Sequence, residues 1–159
     1  MILQQSSFDF LQLLSKNNNR DWFNEHKNDY IIEHQKIITF ADDLLVLMNQ
    51  HDVIETPSGK SALHRIYKDT RFSKDKTPYK TNWSGSFRRA GKERRGGYYF
   101  HLEQGNTFIA GGFWAPNNDD LKRIRQDIDY NYEEWDELLN SKSIKDYFGD
   151  LIGSQLSSA

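Results

Sequence analysis

The sequence predicts an α+β fold: N-terminal helices, a central antiparallel sheet running as a meander, and C-terminal helices packed on that sheet. Three observations predict it. Apolar residues recur at helical spacing through the first third, they alternate with a period of two in the middle, and they return to helical spacing in the last third. No internal repeat, low-complexity run or linker interrupts this order, so one domain over residues 1–159 is expected.

Taken in order, Ser6 or Ser7 is placed to cap a short helix whose apolar positions are Phe8, Phe10, Leu11, Leu13 and Leu14. The polar run of Lys16, Asn17, Asn18 and Asn19 reads as a turn. Beyond it, Trp22, Phe23, His26 and Tyr30 lead into Ile37, Phe40, Ala41, Leu44, Leu45 and Met48, which suits one long helix or two with a break near Tyr30. Residues 51–59, with Pro57 and Gly59, form a connection. Residues 63–68 are rich in β-compatible side chains and are expected as a strand. Thr81, Trp83, Gly85 and Phe87 alternate with Asn82, Ser84, Ser86 and Arg88, a second strand. A basic loop over 89–97 precedes a strand at 98–103, and a turn at Gln104, Gly105 and Asn106 returns the chain along 107–114. Pro116 and Asn117 or Asn118 open a helix with Asp119 and Asp120 in its first turn, where the helix dipole favours acids. Shorter acidic helices follow over 132–139 and 143–148.

With no cysteine among its 159 residues, the chain has no disulfide scaffold, thiolate metal site or cysteine nucleophile. No apolar run approaches the roughly 20 residues that span a bilayer, and the N-terminus has no signal-peptide pattern; a cytoplasmic location is expected. Ten Phe, eight Tyr and four Trp supply core material and oppose disorder. The formal net charge of −2 conceals an asymmetry. Between Lys60 and Arg95 stand twelve Lys and Arg against three acids, a local net of +9, while the rest of the chain carries −11. Such a strip either attracts anions or is neutralised by the acidic helices.

Several motifs are weak. Ser58-Gly59-Lys60-Ser61 resembles the end of a P-loop, but Ile54 stands where the earlier glycine belongs and no strand precedes it. His26, His34, His51, His64 and His101 show no metal-ligand spacing, so no metal site is expected and no cofactor is indicated. His101 stands out because it shares a strand face with Tyr99 and Glu103. Arg125 lies on the apolar stripe of its helix, between Leu121 and Ile128, and is expected partly buried and paired.

Residues 65–80 concentrate the donors that hold phosphate or carboxylate groups. Arg65, Arg71, Lys76 and Lys80 would supply charge, and Tyr79 a hydroxyl or stacking face. Asp69 and Asp75 would orient those cations, or serve as acid/base groups or Mg²⁺ ligands if this is an enzyme, and Phe72 would anchor the segment in the core. The expected function is recognition of a phosphorylated or otherwise anionic ligand by Arg65, Asp69, Arg71, Asp75, Lys76, Tyr79, Lys80, His101 and Arg125. One alternative is a non-catalytic nucleic-acid-binding module using Arg88, Arg89, Lys92, Arg94 and Arg95 with Trp83 and Phe87. Another is an interaction domain whose basic strip docks an acidic partner or its own acidic helices. Whether the chain is an enzyme is left open.

The same segment, RIYKDTRFSKDKTPYKT, resembles the hallmark of the bacterial and fungal family called domain of unknown function 2461. NNNRDWFNEHKNDY, GGYYFHLE, FIAGGFWAP and LKRIRQDI extend the resemblance, in order, from about residue 8 to residue 148. It implies no assigned activity and no catalytic residues. It also implies a longer C-terminal tail, with a Pro-rich, His-Pro-bearing segment and another helix, than residues 153–159 supply.

Overall fold

The computed structural model describes residues 2–91, 95–150 and 152. Lys92 and Arg94 of the basic loop and the tail at 153–159 lie outside the described residues. The fold is α+β, and its contacts divide it into two compact units, up to Trp114 and from Ala115 onward.

The first unit begins with α1 (Gln5–Lys16), α2 (Arg20–Glu25) and α3 (Lys27–Met48). Gln4 rather than a serine precedes α1, because both serines are used elsewhere. Ser6 and Ser7 donate their hydroxyls to the buried Glu33 carboxylate, at 3.1 and 2.8 Å, and Lys36 Nζ reaches it at 2.7 Å. Burial alone would raise the Glu33 carboxyl; the hydrogen bonds from Lys36, Ser7 and Ser6 outweigh it and leave it below its ordinary value. The break between α2 and α3 falls at His26, four residues before the expected place. There the His26 ring stacks on Trp22 at 4.1 Å and its Nδ1 lies 2.9 Å from the Trp22 carbonyl, ending α2 locally.

The connection after α3 ends in a single turn, α4 (Gly59–Ala62), capped by Ser58 Oγ, which accepts from the Ser61 amide. A Cβ on Gly59 would lie 2.5–2.9 Å from the α3 backbone, and the Gly59 amide donates to Asp42 Oδ1 at 2.5 Å. The P-loop-like tetrapeptide is thus a close-packing joint between α4 and α3.

The sheet contains β1 (Trp83–Arg88), β2 (Gly97–Leu102) and β3 (Phe108–Gly112), antiparallel and in chain order, the expected meander. Residues 63–68 are not a strand of it. They make isolated bridges, Leu63 to Gly85 and Tyr67 to Tyr79, because the chain there crosses from the sheet edge into a closed loop. The register pairs Trp83 with Leu102, Gly85 with Phe100 and Phe87 with Tyr98. These residues share one face, as the alternation predicts. Trp83, Phe87, Phe100 and Leu102 are buried there with Ile37 and Ala41 of α3, Phe10, Leu11 and Leu14 of α1, and Phe23 of α2. The Trp83 indole donates to the Ser7 carbonyl at 3.0 Å, tying sheet to α1.

The second unit holds α5 (Asn118–Tyr130), α6 (Tyr132–Asn140) and α7 (Lys142–Phe148). Asn117 caps α5 by accepting from the Asp120 amide at 2.9 Å. The Trp135 indole and the Asn131 amide both donate to Asp127 at 2.9 Å, joining α5 to α6. No helix among the described residues is long and apolar enough to cross a membrane.

Candidate functional site

Residues 65–80 form a loop closed at its base. Lys80 N donates to the Ile66 carbonyl at 2.7 Å and Lys68 N to the Pro78 carbonyl at 2.9 Å. Asn18, far away in sequence, clamps Tyr79 with both halves of its amide: Nδ2 donates to the Tyr79 carbonyl at 2.9 Å, and Oδ1 accepts from its N–H at 3.1 Å. The Tyr79 ring is buried and stacks on Phe23 at 4.0 Å. Its face is core, which corrects the expectation of a ligand-stacking surface.

Beyond this base both acids of the loop are paired with bases of the same loop. Asp69 accepts from Arg71 Nε and Nη2 at 2.9 and 2.7 Å, a bidentate pair. Asp75 accepts from Lys68 Nζ at 2.7 Å and from the Thr77 amide and hydroxyl at 2.9 Å. The Lys68 ammonium, followed by Thr77, holds the Asp75 carboxyl far below the usual range. Lys76 Nζ donates to the Thr70 carbonyl at 2.9 Å. Phe72, expected in the core, is 96% exposed beside the Arg71 guanidinium. The local pairs and the clamped base hold the loop without it.

Arg65 and Lys80 stand at the feet of the loop, where neither side chain has a hydrogen-bond or ion-pair partner among the described residues, though the Asp69 carboxylate feels the charge of Arg65. Lys80 is half-buried; burial, then the charge of Arg65, pushes its ammonium down from the usual value. Burial and the Lys80 charge likewise push His64 down. The His64 ring lies over the sheet face opposite the core, with Nδ1 3.3 Å from Ser84 Oγ and Nε2 3.0 Å from Ser86 Oγ.

The same face carries a hydrogen-bonded chain along β2. Tyr99 Oη lies 3.1 Å from His101 Nδ1, and His101 Nε2 lies 3.2 Å from Glu103 Oε2. Glu103 also accepts from Asn106 Nδ2 at 3.0 Å and Thr81 Oγ1 at 3.3 Å. The bond from Asn106, with those from His101 and Thr81, outweighs burial and keeps the carboxyl below its ordinary value. Phe108 stacks on the His101 ring at 4.9 Å and 10°. His64 and Tyr99 adjoin, with ring centroids 5.9 Å apart, and the Lys80 charge acts on His64, so His64 links the cationic feet to the β2 chain in one patch.

Of the residues singled out from sequence, Arg65, Lys80 and His101 belong to this patch. Asp69, Arg71, Asp75 and Lys76 sit out on the loop, and Tyr79 is in the core. Arg125 is in the second unit, exposed on α5, with no ion pair in that unit among the described residues. The expected burial fails because the α5 stripe of Leu121 and Ile124 is only half-covered and leaves the guanidinium to water. His64 and Tyr99 were missed as site residues. The period of two signals Tyr99, but nothing local signals that His64 crosses to β1.

The nucleic-acid reading loses its aromatic platform, since Trp83 and Phe87 are 4% and 2% exposed. Arg89 pairs with Asp52 at 2.5 Å and Arg88 with Glu55 at 3.3 Å, so part of that strip is neutralised by the preceding acids. Among the described residues no group of three His, Asp or Glu side chains is arranged to hold a metal ion.

The chain matches the family described as conserved hypothetical protein (DUF2461) over residues 6–159, nearly its whole length, and belongs to that family. No curated protein and no solved structure matches it.

Proposed function

We propose that this member of the DUF2461 family binds a phosphorylated or otherwise anionic small molecule at Arg65 and Lys80, beside the polar face of its sheet. One observation carries the reading: the half-buried Lys80 lies in the field of a second cation, Arg65, and neither makes an ion pair with a carboxylate among the described residues. Such a pair is unfavourable in the free protein, and a bound anion offsets both the mutual repulsion and the cost of desolvating Lys80. His64, in the field of Lys80, adds a hydrogen-bonding edge. The four paired loop residues Asp69, Arg71, Asp75 and Lys76 serve the loop's own geometry.

The test is calorimetric titration with inorganic phosphate, a nucleoside monophosphate and a short oligonucleotide. Losing a charged hydrogen-bonding partner costs about 1.5–3 kcal/mol, so Arg65→Ala and Lys80→Ala each weaken a small anion roughly ten- to a hundredfold. Arg71→Ala and Lys76→Ala leave it nearly unchanged. Absence of saturable binding, or weakening only by the loop variants, overturns the assignment. Preference for the oligonucleotide with a steep salt dependence favours the nucleic-acid reading instead.

A further inference from the structure

Tyr99, His101 and Glu103 occupy alternate positions along β2 and its end, and their side chains follow one another on one side of the sheet. The hydrogen-bond directions in this chain follow from chemistry. The Glu103 carboxylate only accepts, so His101 Nε2 must carry a proton and donate to it. In the neutral ring that leaves Nδ1 as an acceptor, and among the described residues the donor that reaches it is the Tyr99 hydroxyl, at 3.1 Å. The imidazole is braced on every side: Glu103 at Nε2, the Phe108 ring on its face, and Asn106 and Thr81 behind the carboxylate. A hydroxyl, a base within hydrogen-bond reach and a third group orienting the base form the arrangement that activates a nucleophile.

We propose that Tyr99 is a nucleophile toward phosphate esters, with His101 as its base and Glu103 as the residue that positions His101. The choice of substrate rests on the anion-binding reading of Arg65 and Lys80, which lie next along the patch through His64. In the step, Tyr99 Oη bonds to phosphorus while its proton passes to His101 Nδ1. The phosphorus bond to the leaving alcohol breaks, and the departing alkoxide takes that proton, so the imidazole returns neutral. Water then cleaves the aryl phosphate, restoring the phenol and releasing inorganic phosphate. Glu103 stabilises the transient imidazolium and remains ionised throughout.

The experiment uses an alkyl fluorophosphonate, which needs no knowledge of the natural substrate. Tyr99 Oη displaces fluoride from phosphorus, and its proton leaves through His101 to solvent. Peptide mass mapping then ranks labelling across the eight tyrosines. Tyr130, Tyr132 and Tyr147 are far more exposed than Tyr99, so accessibility alone favours them. Activation by the base instead makes Tyr99 the fastest, and His101→Gln slows it roughly a hundredfold without changing the others. Glu103→Gln gives a smaller loss, as a positioning residue should. Labelling of Tyr99 no faster than the exposed tyrosines overturns the proposal, and that comparison needs only the wild type. Labelling unaffected by His101→Gln in folded protein overturns it too.

Excess inorganic phosphate separates the two readings. Protection of Tyr99 supports the phosphate-ester assignment. Labelling that depends on His101 but ignores phosphate keeps the nucleophile and overturns the substrate class. Phosphate binding with uniform tyrosine labelling keeps the anion site and overturns the nucleophile.

Discussion

The two faces of the three-stranded sheet are made by the same strands, one residue out of step, and they have opposite properties. One carries Trp83, Phe87, Phe100 and Leu102, sealed by α1, α2 and α3. The other carries Ser84, Ser86, Tyr99 and His101, half-open and joined by side-chain hydrogen bonds. Each face is also met by a histidine from outside the sheet. His34 lies on the core side, near Tyr30 and Trp83, and His64 on the polar side, over Ser84 and Ser86. In a sheet this small stability and chemistry are therefore separable by parity: one set of alternate positions holds the fold, and the other is free to carry function.

The largest test of that separation is Phe100→Ala. The ring is fully buried against Phe40 and Phe87, so truncation costs about 3–5 kcal/mol in urea unfolding. A loss below about 1 kcal/mol would mean that this face is not the core. Gly59→Ala comes next, at about 1–3 kcal/mol, because its methyl group meets the α3 backbone rather than a movable side chain. An unchanged unfolding midpoint would show that α4 does not dock there.

Acidification compares the two histidines. Burial, then Lys60, pushes His34 down, and burial, then Lys80, pushes His64 down. Each therefore binds protons less readily folded than unfolded, so stability is full above the ordinary histidine value near 6.5 and falls as pH drops below it. Unfolding free energies at pH 7.5 and pH 5 should show this fall, before the carboxylates contribute. His34→Gln and His64→Gln should each flatten it; stability that rises on acidification contradicts both placements. The polar face should then yield the smallest effects. Ser86→Ala changes stability by no more than about 0.5 kcal/mol, and a loss as large as that of Gly59→Ala would break the comparison.

Much of the fold was legible because its signals are local. The alternation in 83–88 fixes which side chains share a face, and Asn117 satisfies a helix N-terminus three residues away. The candidate site was legible only in part. Arg65, Lys80 and His101 could be singled out by residue type, but so could Arg71 and Lys76, and the same composition serves both groups. Phe72 misled because an aromatic residue between charges suggests an anchor, whereas Asn18 and the Ile66 and Pro78 carbonyls already close the loop.

Legible in the sequence alone were the helical first and last thirds, the meander at 83–112 with its two faces, and the concentration of bases in residues 60–95, but not α4 or the absence of a strand at 63–68. The legible elements depend on periodicity and capping, which act over a few residues. Only the tertiary structure decided which bases are ion-paired, because that depends on how the chain closes in space. Arg71 and Lys68 find carboxylates within their own loop, Arg88 and Arg89 find them in the 52–55 segment, and Arg65 and Lys80 are brought together without an ion pair to either. Neutralisation is a property of distances in space, and those are set by loop closure and by the clamp from Asn18 across 61 residues.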